Sequence, residues 1–69
     1  MIILKRIDSY TEGHTMVHVN PHKIEMMYME RFTSVGKVIT TTRLVFNRGN
    51  INVLESPDEI EELIRNYNE

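Results

Sequence analysis

The stretch Ser56-Pro57-Asp58-Glu59, followed by Ile60, Leu63, Ile64 and Tyr67, restricts the fold more than any other. Serine is a natural N-cap, because its hydroxyl can accept an otherwise orphaned amide of the first helical turn. Proline at the first helical position has its φ already set and lacks only an N–H that would go unbonded, and the glutamate closes a capping box. Asp58 and Glu59 also suit the positive end of a helix dipole. The four apolar residues recur at i, i+3, i+4 and i+7, which makes one stripe on one helix, predicted over 57–67. A helix with one apolar stripe must cover something, and the remainder of this chain offers it a sheet.

That sheet is read from short alternating runs bounded by turn formers. Residues 1–7, MIILKRI, place Ile2 and Leu4 on one side, and DSYTEGH then forms a loop around Asp8, Ser9 and Gly13. The run TMVHV, 15–19, sets Val17 and Val19 against Met16 and His18. Asn20-Pro21 ends this run, since proline has no N–H for a ladder and asparagine can cap the turn with its side chain. KIEMMYMERF is ambiguous between helix and strand. Ile24, Met26 and Tyr28 alternate, so it is read as a strand over about 23–31, with a loop at 33–36. KVITTTRLVF, 37–46, is the strongest strand, rich in β-branched residues. On it Thr40, Thr42, Leu44 and Phe46 share a face, with Ile39, Thr41 and Val45 opposite. NRGN reads as a hairpin turn around Gly49, and INVL, 51–54, as a last short strand. The expected fold is one α+β domain over 1–69: a small antiparallel sheet of four to five strands with one C-terminal helix packed on one face. Asn20, Pro21, Gly49, Ser56 and Glu59 are its structural markers.

A chain of 69 residues buries only about 60% of the surface its unfolded form exposes. It contains no cysteine, so disulfides cannot supply the deficit, and metal or self-association remain as sources of stability. One helix covers one face, while Ile39 and Val45 oppose Leu44 and Phe46. A homo-oligomer is therefore expected. The net charge of −2 argues against a dedicated nucleic-acid binder. Its distribution is uneven, with seven of the eight Lys and Arg residues within 1–48 and six of the ten acids within 49–69. No apolar run approaches the ~20 residues that span a bilayer, and the initial MIIL is too short for a signal peptide. The expectation is a cytoplasmic protein without membrane insertion, in a bacterial cell or a phage-infected host.

His14, His18 and His22 stand four residues apart, a spacing that would align three imidazoles on a helix. Pro21 interrupts it, and in a strand His14 and His18 would lie ~13 Å apart, too far to share an ion whose ligand nitrogens must approach to ~2 Å. The ladder is thus read as a coincidence of spacing, with no metal and no cofactor expected. Ser9, Ser34 and Ser56 are the hydroxyl nucleophile candidates, but no GxSxG elbow, phosphate loop or HExxH motif accompanies them, and Ser56 already serves as a cap. The acidic 55–62 run reads as a helix start and a solvated face. Of the five methionines, Met26, Met27 and Met29 cluster, as core filler or as an adaptable partner surface.

The opening MIxL, Asn20-Pro21-x-x-Ile24-Glu25, the threonine-rich strand, the glycine turn and Glu55-Ser56-x-x-Glu59-Ile60 resemble, in that order, the small flagellar FlbD (SwrD-like) proteins. The resemblance covers nearly the whole chain with short motifs. It departs from the family at DSYTEGH, where a tight Asn-Gly turn is usual, at the added 33–36 and at NRGN. It implies a non-enzymatic accessory protein linked to motor function and carries over no catalytic residue. Phage-encoded proteins of the same shape are similar. MIILKR also resembles the opening of the carbon-storage type of RNA-binding regulator, over six residues only.

The resulting expectation is a non-catalytic protein-interaction module, a flagellar accessory or a phage-encoded host-interaction protein. Met26, Tyr28, Arg31 and Arg43 are its candidate partner-binding residues. The alternative is a small RNA- or DNA-binding regulator that uses the basic sheet face.

Overall fold

A computed structural model describes residues 1–67. The chain forms β1 (Ile2–Ile7), β2 (Thr15–Val19), a 3₁₀ turn (Pro21–Lys23), β3 (Met26–Ser34), β4 (Lys37–Phe46), β5 (Gly49–Val53) and α1 (Pro57–Tyr67). All pairings are antiparallel, and the strands lie side by side in the order β2-β1-β5-β4-β3. The fold is the α+β sheet-plus-helix that the alternating runs and the capping box require.

The alternation of apolar residues selects the face that α1 covers. Ile2 and Leu4 lie opposite Val19 and Val17, and Leu44 lies opposite Ile51. With Val53 these side chains meet Ile60 of the helix, and Leu4, Leu44, Val53 and Ile60 have no exposed surface. The helix begins as its sequence dictates: the Glu59 amide donates to Ser56 Oγ at 3.2 Å and the Ser56 amide to Glu59 Oε1 at 3.3 Å. The stripe is narrower than its spacing implied. Ile60 is buried and Ile64 and Tyr67 pack on the core, but Leu63 is 37% exposed.

Three strand boundaries depart from the sequence expectation. The β3–β4 ladder runs without interruption from Met26↔Val45 to Ser34↔Lys37, so Thr33 and Ser34 belong to β3 and not to a loop. The turn is only Val35-Gly36, with φ of +50° and +78°. Two successive positive φ values make a type I′ hairpin, whose twist matches that of the strands it joins, so the ladder can run up to it. At the other end the Pro21 turn draws Lys23, Ile24 and Glu25 out of the strand. The Glu25 amide donates to the Val45 carbonyl at 2.8 Å although Met26 is the residue paired with Val45. Two residues thus face one, and the alternation slips: Ile24 and Met27 pack on the core while Met26 is 57% exposed. Finally, Gly49 begins β5 opposite Phe46, with φ +157°, and the reversal is made by Asn47 and Arg48. Leu54 lies past the strand end, though its amide still donates to the Lys5 carbonyl at 2.9 Å.

Asn20 acts as expected, its side-chain oxygen accepting the His22 amide at 3.0 Å, with Pro21 buried behind it. The Asp8 carboxylate accepts the amides of Tyr10 and Thr11 and the Thr11 hydroxyl, which organises the β1–β2 loop. Ser34 Oγ donates to the Asp8 carbonyl at 2.9 Å and ties that loop to the β3–β4 turn.

Candidate functional site

The face of the sheet turned away from α1 carries the distinctive side chains. Along β3 the even-numbered residues point to it, and along β4 the odd-numbered ones, because successive residues alternate. Met26 therefore stands beside Val45, Tyr28 beside Arg43, Glu30 beside Thr41 and Phe32 beside Ile39. On β5, Asn50 and Asn52 complete the row opposite Val45 and Arg43.

Its centre is polar and fully connected. Arg43 Nε donates to Glu30 Oε2 at 2.8 Å and its Nη1 to Asn50 Oδ1 at 3.0 Å. Asn52 Nδ2 donates to Glu30 Oε2 and to Thr41 Oγ1, both at 2.9 Å. Thr41 and Asn52 are buried, and among the described residues no buried side-chain polar atom lacks a partner. The hydrogen bond from Asn52, then that from Arg43 and its positive charge, hold the Glu30 carboxyl below its ordinary value. Each bond favours the ionised form. The cluster is a satisfied strut across β3, β4 and β5, and its one carboxylate already spends its charge on Arg43.

Of the four candidate partner-binding residues, three come together here: Met26, Tyr28 and Arg43. Arg31 does not. As an odd-numbered residue of β3, opposite Thr40, it points to the side of α1. The ambiguous strand gave no way to foresee this, since the slip at Glu25 reverses which of its residues face the helix. Met29, named above only as one of the clustered methionines, is 60% exposed, and Val38, which the sequence pattern does not mark, is 63% exposed. They lie on the helix side of a hairpin too long for α1 to cover.

The outer border of β3 is the second notable feature. β3 pairs with β4 alone and closes one side of the sheet, so half of its backbone donors and acceptors point outward. It is nine residues long, against five for β2 on the other border. Met26, Tyr28 and Met29 are 57%, 41% and 60% exposed along it.

A hollow of about 290 Å³ opens between the β1–β2 loop and the β3–β4 turn, with Val35, Ile39 and Leu54 as its apolar wall and Glu12, His14 and Lys37 at its rim. Ser34 also lines it, with its hydroxyl already donated to Asp8. The three histidines are dispersed: His14 in this hollow, His18 on β2 opposite Ile3, and His22 edge-on to Tyr67 with ring centres 5.8 Å apart. Among the described residues no three His, Cys, Asp or Glu side chains converge as a metal site would require. Among the described residues no helix is long and apolar enough to cross a membrane. Compared with protein-family models, with curated proteins and with solved structures, the chain matches none.

Proposed function

We propose that this chain is a non-catalytic protein-interaction module that binds by strand addition along β3. The observation that carries this reading is the long outer strand, paired on one side, with three large apolar side chains exposed along it. Strand addition gives affinity through main-chain hydrogen bonds and specificity through side chains that alternate between the two faces. Methionines adapt to different partner shapes at low cost, and the Glu30–Arg43–Asn52 strut holds the strand stiffly in place. The polar groups of the open face bond to one another, an arrangement suited to scaffold rather than to general acid–base chemistry. The flagellar resemblance supports the same class of role, an accessory without catalysis, in a flagellar or phage setting. The cations are dispersed: Lys5, Lys37 and Arg43 lie on the open face, Arg6 and Arg31 on the helix side, and Lys23 and Arg48 in turns.

The test compares the immobilised wild-type chain with Met26→Lys in bacterial lysate. A charge on an outer strand opposes pairing, and the exposed Met26 site keeps the fold intact. Proteins retained by the wild type and lost in the variant are the expected result. Identical captured sets would remove β3 from the role. Retention of nucleic acid that falls steeply with salt would replace the reading with that of a nucleic-acid regulator.

A further inference from the structure

We infer that β3 pairs with β3 of a second copy of this chain, antiparallel about a two-fold axis through Met29, to form a continuous ten-stranded sheet. This rests on the strand-addition reading above and names its occupant.

The border strand is unguarded. Sheets ordinarily blunt their edges with short strands, prolines, bulges or charges. β2 is blunted in this way, with five residues that run directly into Asn20-Pro21. β3 has no proline, its ladder with β4 is unbroken over all nine residues once past the extra residue at Glu25, and its only charges are Glu30 and Arg31. Glu30 is drawn inward to Arg43 and Asn52.

The sequence of β3 then selects a register. In an antiparallel pair, residues directly opposite share a face. A two-fold axis normal to the sheet must therefore pass through a residue and not between two. An axis through Glu30 would set Glu30 against its own copy, and one through Arg31 would do the same with arginine. Like charges directly opposite are destabilising. An axis through Tyr28 or Phe32 leaves five residues of each β3 in contact, whereas one through Met29 engages seven, Met26 to Phe32. In that register Met29 meets Met29, Met27 meets the stem of the partner's Arg31, Met26 meets the partner's Phe32, and Tyr28 meets the partner's Glu30. The exposed apolar groups of both faces are covered without any like-charge pair, and both helices fall on the same side of the joined sheet. A junction one strand wide and about 24 Å long is smaller than the ~800 Å² per partner of tight complexes, so the dimer is reversible.

The absence of cysteine makes the test clean. Opposed Cα atoms in such a pair lie about 4.5–5.5 Å apart, within the range a disulfide spans. Met29→Cys should therefore oxidise rapidly to a covalent dimer, while Val38→Cys, equally exposed but on β4, should stay largely monomeric. Light scattering of the wild type should approach twice the 8.2 kDa chain mass as concentration rises, and Met29→Lys should remain at the monomer mass with a cooperative melt. A wild-type monomer at every concentration overturns the inference, and so does cross-linking at Val38 as fast as at Met29. Neither result touches the strand-addition reading if Met26→Lys still abolishes capture of another protein.

Discussion

Val35 is out of place by the rules of its own turn. A type I′ hairpin favours Asn-Gly, because both central residues need positive φ. Here Gly36 meets that need and a β-branched residue takes the other position at φ +50°. Strain of this kind costs of order 1–3 kcal/mol, and Val35, 44% exposed, recovers little by burial. Val35→Asn is expected to stabilise the fold by about 1 kcal/mol, read as a higher midpoint in urea. A lower midpoint would show that the isopropyl wall of the adjoining hollow outweighs the strain. Glu55 is the opposite case, a residue that fits better than its sequence context reveals. Its carboxylate accepts the Lys5 amide through both oxygens, at 3.0 and 3.2 Å, and its carbonyl accepts Thr42 Oγ at 2.6 Å. It thus supplies an acceptor to β1 beyond the end of β5. Glu55→Ala strands that amide and should cost about 1–3 kcal/mol, with Glu55→Gln, which keeps one oxygen, losing less in the same thermal melt.

Among the elements, α1 is the one defined by its own residues. Ser56→Ala removes the oxygen that accepts the Glu59 amide and is expected to cost about 1 kcal/mol. An unchanged melting temperature would deny the cap any energetic role. The β3-β4-β5 group instead depends on a contact between strands, the Glu30 strut. Because the folded state holds Glu30 below its ordinary value of 4.5, the ionised carboxylate favours folding. That contribution is fully present above the ordinary value and is lost as pH falls through the folded one. Denaturation across an acid series should show stability steady near neutrality and declining below about pH 4.5. Glu30→Gln should flatten this decline. An acid series for the variant that parallels the wild type would assign the decline to other carboxylates.

At the scale of the molecule, the histidines illustrate how spacing misleads without a fold. They sit on a loop, a strand and a turn, so chelator should leave the melting temperature unchanged and added zinc should not raise it. Stoichiometric zinc in the purified protein, lost when His14 and His18 are replaced together, would refute this. The capping box, the proline stop after Val19 and the β-branched alternation of β4 determined helix, sheet and core from sequence alone. Each of these acts within a few residues, through φ restriction, local hydrogen bonds or side-chain period. What depended on partners distant in sequence was decided by tertiary structure. Which side of β3 meets the helix turned on one extra residue opposite Val45, and the burial of Glu55 on an amide fifty positions away. The strand order likewise brings β1 beside β5 and leaves β3 outermost. An alternating pattern records that a strand has two faces, but it cannot record which of its neighbours is missing.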